Sequence, residues 1–412
     1  MKSNYKRLGP YIQLVDVRNR EGKEDNLLGV SVSKNFVKSI ANTVGTNFSK
    51  YKVVRKKQFT YIPDTSRRGD KIAVALLENE KEGLVSQAYT VFEIIDTNSL
   101  LPEYLMMWFR RPEFDRYARF ISHGSVREIF SWEDMCDVKL PIPSIDIQQK
   151  IVEEYNLLLD RINLNNRFIL NLEETARSIY KQWFVDFEFP DENGNPYKSS
   201  GGNMSFNKDL NKEIPMEWSV KRLDELTNQI CVGFVGSVYD FYCEENEGVP
   251  MLRTTNITED GISYKDLKYV TKSFHNKNKK SQLRKGDILV ARHGSNGLPV
   301  IFDADFEANC LNAIIIKPNP EKMSSKLIHC FLTSQSALEH IQSSLGGSVQ
   351  EVLNTQKIAD LKLAFPDEMT LMNIDFSALE KIQKSIETKR KINRQLEELL
   401  NIVLSKILRV DE

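Results

Sequence analysis

The chain has 412 residues, with 56 Lys and Arg against 57 Asp and Glu, enough for two or three domains that each bury a core and too balanced in charge for a partner held by global basicity. No apolar run approaches the roughly 18 residues that span a bilayer, and the opening MKSNYKRLG lacks the apolar core of a signal peptide. Cys136, Cys231, Cys243, Cys310 and Cys330 are odd in number, far apart and without a C-x-x-C pair, so they are expected to be buried thiols of a soluble, cytoplasmic protein in a reducing compartment.

From the N-terminus, residues 1–145 carry 23 basic and 18 acidic side chains, a local excess of five positive charges that suits phosphate contact but also an ordinary solvated surface. Strand-like runs at 51–54, 58–62, 72–77 and 89–94, with helical periodicity over 102–120, predict a mixed α and β unit. A long segment follows, with an apolar stripe through Tyr155, Leu158, Ile162, Ile169, Leu172, Ala176, Ile179 and Trp183, spaced alternately by three and four and broken only at Asn165. The stretch PDENGNPYKSSGG at 190–202 is dense in turn formers and predicts a surface linker. A second unit then shows strand-like runs at 250–253, 287–292, 298–302 and 313–316 and a helical run at 326–343. A second long stripe closes the chain through Leu379, Ile382, Ile386, Leu396, Leu400, Val403 and Ile407, with Lys389 and Asn393 as its polar interruptions.

The chain repeats itself. HGSVREIFSWEDMCDVKLPIPS at 123–144 returns 223 positions later as GGSVQEVLNTQKIADLKLAFPD at 346–367, a domain-sized period. Each copy leads into a heptad-patterned segment, in register at an offset of 224. Such a seam marks helices that pair with a partner; one copy alone would equally be an amphipathic core helix. Each stretch of about 35 to 40 residues would span on the order of 50–60 Å and could serve as a ruler. Ser125 and Glu128, like Ser348 and Glu351, have the spacing of a capping box, so a short helix is expected to start there. Its free N–H groups could cap only the helix or hold a phosphate beside Arg127 or Gln350. Ser377 and Glu380 mark the start of the second long helix in the same way.

Catalytic signatures are absent from the sequence: there is no GxxxxGK[ST] or GxGxxG loop, no Asn-Pro-Pro-Tyr, no HExxH, and the five histidines form no ligand pattern. The reading is a non-catalytic protein with no metal and no cofactor of its own, whose two similar heads suit a partner with two similar sites.

The whole chain resembles the DNA specificity subunit of type I restriction-modification systems. WFVDFEFP at 183–190, running into the 190–202 turn segment, is similar to that family's central linker. LPIPSIDIQQKI at 140–151 is similar to its approach to the first spacer helix, and KGDILVARHG at 285–294 and VSQAYTVF at 85–92 are similar to strands of its recognition domains. The second copy departs from the pattern, reading FPDEMTLMNIDFSAL where the first has its proline-to-glutamine approach. The resemblance implies an α+β fold with two target recognition domains, separated by two long antiparallel coiled-coil helices and related by an internal pseudo-twofold repeat. The expected boundaries are 1–143 for the first recognition domain, 144–185 for the first spacer helix, 186–215 for the linker, 216–367 for the second recognition domain and 368–412 for the second spacer helix. Leu158, Ile162, Ile169, Leu172 and Ile179 would pair with Ile382, Ile386, Leu396, Leu400 and Val403.

By that resemblance each head grips one half of a bipartite site in double-stranded DNA, and the helices set the gap; half-sites about 34–36 Å apart face one side of a duplex. Two methyltransferase subunits would dock equivalently, joined by restriction subunits, with adenine methylation and ATP-dependent cleavage in those partners. Recognition domains vary freely in the family, so base-reading residues are chosen here by type and position. Arg67, Arg68 and Lys71 form a polar turn beside a strand. Arg292, His293, Ser295 and Asn296 follow a buried-looking strand, and Arg and Asn can address guanine and adenine bidentately. Arg253, Thr254 and Asn256 follow another, while Ser125, Arg127, Ser348 and Gln350 are candidates for backbone contact. Two rival readings stand beside this one: a two-headed scaffold for protein partners, which would show no salt-dependent DNA affinity, and an enzyme with an unrecognised site, which would turn over alone.

Overall fold

In the computed structural model, residues 5–22, 26–39, 46–65, 71–122, 128–258, 261–292, 298–343 and 353–407 are described. The chain is a mixed α+β protein that divides into two compact units. One is Met1–Asn165 with Ile392–Glu412, and the other is Asn166–Lys391. Both long helices, Ile145–Tyr180 and Ser377–Lys406, change unit near their middles.

In the first unit an antiparallel sheet orders its strands Ile12–Val15, Thr90–Ile94, Phe59–Tyr61 and Val74–Leu76, with Ile12 opposite Ile94 and Phe59 opposite both Phe92 and Leu76. Its large residues stack across strands: Phe59 lies on Phe92 with ring centroids 4.8 Å apart, and Phe109 meets both edge-on. Aromatic cross-strand pairs of this kind hold register as well as area. The helical run expected at 102–120 is two helices, Pro102–Phe109 and Pro112–Ile121. Pro112 causes the break, since the residue before a proline is driven out of the helical region, and Arg111 sits at φ −77°, ψ 139°. One charged pair is buried here: Lys34 Nζ lies 2.6 Å from Asp115 Oδ1, which also accepts the Ile72 N–H.

The first long helix is tied to this unit by Gln148, which is completely buried. Its side-chain oxygen accepts from Leu101 N–H, and its amide donates to Ser99 O and Pro143 O. The unit's core then runs onto the helix through Ile151, Tyr155 and Ile162 and onto the second helix through Leu400, Val403 and Ile407. Within this unit Glu154 pairs with Lys406 at 2.7 Å and Asn165 with Asn393 at 2.8 Å, so residue numbers rise along one helix as they fall along the other.

The second unit repeats the order. Its four-stranded antiparallel sheet runs Thr227–Val232, Ala313–Pro318, Ile288–Ala291, Pro299–Ile301, followed by helices Ser325–Leu332 and Gln335–Ser343. A five-stranded sheet is added, with Gly248–Leu252 between Lys268–Thr271 and Ala308–Cys310. Arg390 pairs with Glu173 at 2.9 Å, and Lys389 lies over the Phe168 ring at 4.5 Å. Leu379 and Ile382 join the same core as Ala176 and Ile179.

The sequence repeat is one local structure used twice. Ser131 caps helix Trp132–Asp137 and Asn354 caps Thr355–Ala359. Strands Lys139–Pro141 and Lys362–Phe365 then pair antiparallel with Tyr5–Arg7 and Ser219–Arg222. The described helices thus begin six residues or more beyond the expected caps; Ser125, Ser348 and Glu351 lie outside the described residues, and the Glu128 carboxylate is held by Arg119. At Ser377 the shift is the other way: Asp375 accepts both the N–H and the hydroxyl of Ser377, a shorter reach that takes the serine into the helix.

The 190–202 stretch is largely exposed, as expected of a surface linker, but its flanks are not. Phe184, Phe187 and Phe189 are buried around Trp218, with Phe189 stacked on it at 5.0 Å and Phe187 edge-on at 5.4 Å. The first long helix ends in a π turn over Lys181–Val185, after which Phe187 takes a φ of +62°, a conformation a bulky side chain adopts only when its surroundings impose it. Of the cysteines, Cys231, Cys310 and Cys330 are buried, whereas Cys136 and Cys243, expected to be buried too, are partly exposed. Among the described residues no helix is long and apolar enough to cross a membrane.

Candidate nucleic-acid interface

The candidate residues of the first unit fall on or beside two chain segments, 66–70 and 123–127, whose described flanks meet at one place. Asp64 and Ile129 form an antiparallel bridge; Thr65 donates from its N–H to Glu128 O at 3.0 Å, and Phe130 N–H donates to Pro63 O at 2.9 Å. Residues 66–70, which include Arg67 and Arg68, and 123–127, which include Ser125 and Arg127, lie outside the described residues, but both segments spring from this shared root. Lys71 is exposed at its far edge and adds positive potential next to Lys34, whose amine is held below the usual lysine range mainly by burial, with Asp115 opposing and Lys71 reinforcing.

In the second unit the same two positions are joined by a side chain. Arg292 Nε donates to Leu353 O at 3.1 Å and Nη1 to Asn312 Oδ1 at 2.9 Å. Arg292 follows strand Ile288–Ala291 and precedes residues 293–297, and Leu353 follows residues 344–352. His293, Ser295, Asn296, Ser348 and Gln350 therefore lie outside the described residues on two segments with one root. A third candidate joins through the neighbouring strand: Leu311 N–H donates to Leu252 O at 2.8 Å, one residue before Arg253, and Asn312 is the residue Arg292 grips.

This geometry gives two of the expected base readers other work. Arg292 spends its guanidinium on the loop roots and is only partly exposed. Asn256 is buried, with Oδ1 accepting from Arg253 N–H and Nδ2 donating to Ser263 O and Lys265 O; its amide holds the turn and faces no solvent. Arg253 reaches back to Asp266 O through Nη2, while Thr254 stays partly exposed. Each follows a short apolar strand, and a polar residue there is as able to pin a turn as to leave it.

Sequence reasoning passed over residues 233–241, GFVGSVYDF. Phe234 N–H donates to Cys310 O, and Asn312 N–H donates to Phe234 O, so this segment leaves from the same root. A Cβ at Gly233 would stand 2.5 Å from Cys310 O, which explains the glycine. Beyond it Val235, Phe241 and Tyr239 are exposed, Tyr239 by 80%. These solvent-facing apolar residues lie beside the junction of candidate loops, and Phe241 also packs on Phe274. The signal was legible as a Gly-x-x-Gly run carrying unsheltered aromatics.

Glu154 and Glu173 of the first long helix pair with Lys406 and Arg390 of the second, and the described residues contain no group of three His, Cys, Asp or Glu able to hold a metal ion.

Residues 215–398 match the family model of the type I restriction modification DNA specificity domain. The chain is 25% identical over 330 residues to the type I restriction enzyme MjaIX specificity subunit of Methanocaldococcus jannaschii, covering 77% of this chain and 72% of that one. It is 24% identical over 288 residues to the MjaVIII specificity subunit of the same organism, covering 66% and 63%. A crystal structure of a type I restriction-modification system S subunit from M. genitalium aligns over 99% of this chain and 96% of that one, at 14% identity and a TM-score of 0.47. Residues 215–398 thus carry the type I restriction modification DNA specificity domain, and over most of its length the chain is similar to type I restriction enzyme specificity subunits.

Proposed function

We propose that the protein is the sequence-specific DNA-binding subunit of a type I restriction-modification complex. It reads a bipartite, gapped site and positions methyltransferase and restriction subunits on it. The carrying observation is that each unit gathers its separate candidate segments onto one root, at Asp64–Ile129 and at Arg292–Leu353. Loops on a rigid root are the usual site of variable recognition. The two units would each take one half-site, with Arg67, Arg68, Lys71, Ser125 and Arg127 on one and Thr254, His293, Ser295, Asn296, Ser348 and Gln350 on the other. Arg253 and Arg292 hold the second set in place.

The long helices pair as an antiparallel coiled coil that sets the gap, and the two copies are related by a pseudo-twofold. The opposite running of residue numbers in each unit and the shared strand order support this reading. Symmetry of that kind offers two equivalent docking places for methyltransferase subunits. The chain itself is non-catalytic, and methylation and cleavage belong to its partners. On this reading the domains are 1–143, 144–185, 186–215, 216–367 and 368–412, with Phe184, Phe187 and Phe189 packed on Trp218 of the second head.

The test is a genome-wide map of methyladenine with the gene intact and deleted. Loss of one gapped, two-part motif on deletion is the expected result and yields both half-sites. An unchanged map in a strain that expresses a partner methyltransferase would refute the assignment.

A further inference from the structure

The second unit contains a cavity of about 90 Å³ whose lining is more cationic than its partners can balance. Glu173 and Arg177 come from the first long helix, Arg390 from the second, and Lys326 and His329 from helix Ser325–Leu332. Glu173 is the lone carboxylate among these, and it is already engaged by Arg390 at 2.9 Å. His329 adds no charge at neutral pH. Desolvation of its ring, reinforced by the Lys326 cation, holds its pKa down at about 3, and its Nε2 lies 3.1 Å from Pro299 O. A carbonyl can only accept, so the ring proton is on Nε2. Arg177 and Lys326 are left as two uncompensated positive charges.

Lys326 is the decisive residue. It is 7% exposed, and its side chain has no hydrogen-bond or ion-pair partner among the described residues. The stem of Lys326 is buried, and beside it in the cavity wall Arg390 Nε is a buried donor with no hydrogen-bond partner among the described residues. Burial without a partner is costly for an ammonium; it lowers the Lys326 pKa, with Cys330 and Glu173 opposing and Arg390 and Arg177 reinforcing the shift. A leucine or methionine would fill the same volume without that cost. An anion in the cavity would remove it.

We propose that this cavity binds a phosphate-class oxyanion, held by Lys326 and Arg177 with Arg390 beside it. The size admits a group of a few heavy atoms, and two uncompensated cations match the charge of hydrogen phosphate at neutral pH. Bound there, the ion would cross-link the helix of the second head to both long-helix segments of the same unit. A phosphodiester of a DNA backbone presents the same oxygens as the free ion, and the experiment separates the two sources.

The full chain is placed in phosphate-free buffer and titrated with inorganic phosphate at ionic strength fixed by chloride, with the thermal midpoint and calorimetric binding as readouts. The expected result is a saturable rise in midpoint, as for any ligand that binds the native state alone, and a phosphate affinity weakened by about tenfold or more in Lys326→Met and in Arg177→Gln. In the absence of phosphate, Lys326→Met should melt no lower than the parent, because it removes an unpaired buried charge. A midpoint that rises no more with phosphate than with chloride overturns the proposal, as does unchanged affinity in the variants. Arg177 is exposed, so Arg177→Gln alone decides if Lys326→Met does not fold. The last arm rests on the DNA-binding reading: saturating duplex that leaves phosphate affinity unchanged identifies the free ion, and duplex that competes with phosphate identifies the backbone.

Discussion

The side-chain amide of Asn165 donates to that of Asn393 across 2.8 Å, with Asn165 1% and Asn393 8% exposed. Each interrupts an otherwise apolar stripe, and the interruptions meet. A buried amide pair contributes little net stability, yet it penalises every register in which one amide faces a leucine. Replacing Asn165 with Leu should therefore cost about 1–3 kcal/mol by taking from the buried Asn393 Oδ1 its Asn165 donor. The double replacement should recover most of that loss. Thermal denaturation of the two single variants and the double variant measures the coupling; additive losses would remove the register role.

Lys34 and Asp115 form an ion pair with both side chains at least nine-tenths buried, and Asp115 also holds the Ile72 N–H. Asp115→Ala removes the counter-charge of a buried ammonium, which keeps only the Ile72 carbonyl as acceptor, and leaves the Ile72 N–H without its acceptor. A loss of about 3–5 kcal/mol is expected, against less for Lys34→Met, which leaves the carboxylate its backbone partner. Urea unfolding of the two variants ranks them, and the reverse ranking would refute this account.

Trp218 is surrounded by Phe184, Phe187 and Phe189. Trp218→Ala should cost about 3–5 kcal/mol and open the 186–215 segment to limited proteolysis. Cleavage at an unchanged rate would mean that the segment does not depend on this packing.

His329 stays neutral in the fold, with a pKa near 3 against about 6.5 in an unfolded chain. Between those values the unfolded state binds more protons. The contribution to stability is thus complete above pH about 6.5 and is lost as the pH falls toward 3, by at most about 1.4 kcal/mol per unit. His329→Gln in phosphate-free buffer should flatten the stability profile in that window. Equal slopes in parent and variant would exclude the histidine as the source.

If the paired helices set the gap, inserting seven residues into each at matched positions should lengthen the spacer of the methylated motif or abolish methylation. Methylation mapping reads this directly, and an unchanged spacer would refute the ruler.

The Asn pair also shows how far the sequence was readable. The stripe positions, from Tyr155 and Ile162 to Leu400 and Val403, were legible because helical periodicity is local, and these residues are buried. That Asn165 meets Asn393 was not legible, since stripe spacing carries no information about which residue of a partner lies opposite. The strand-like runs that were read are strands with slightly shifted ends, but others, such as Ile12–Val15 and Thr227–Val232 at the sheet edges, were not read. The 102–120 run was read as one helix because its apolar period continues through Pro112, whose backbone effect outweighs it.

Candidate loops were found by residue type, but residue type does not separate a side chain that leaves the fold from one that returns to it. Arg292 returns, to Leu353 O and Asn312, and Asn256 returns to its own turn. Gln148 was noted only as part of a resemblance; its three bonds to residues 99, 101 and 143 explain why a glutamine suits that approach. The second copy has Asp367 capping a short helix, Glu368–Asn373, at the corresponding junction.

By itself the sequence determined the duplication, the α+β character and the two helical stripes, and its motifs pointed to the family, because repeats and hydrophobic periods are properties of neighbouring residues. Only the tertiary structure decided that Thr65 meets Glu128, that Arg292 bridges to Leu353, that Asn165 faces Asn393, and that Lys326 is enclosed with surplus cations. Those relationships join residues from about 60 to more than 220 positions apart, and they depend on how folded backbones approach one another, which local pattern does not encode.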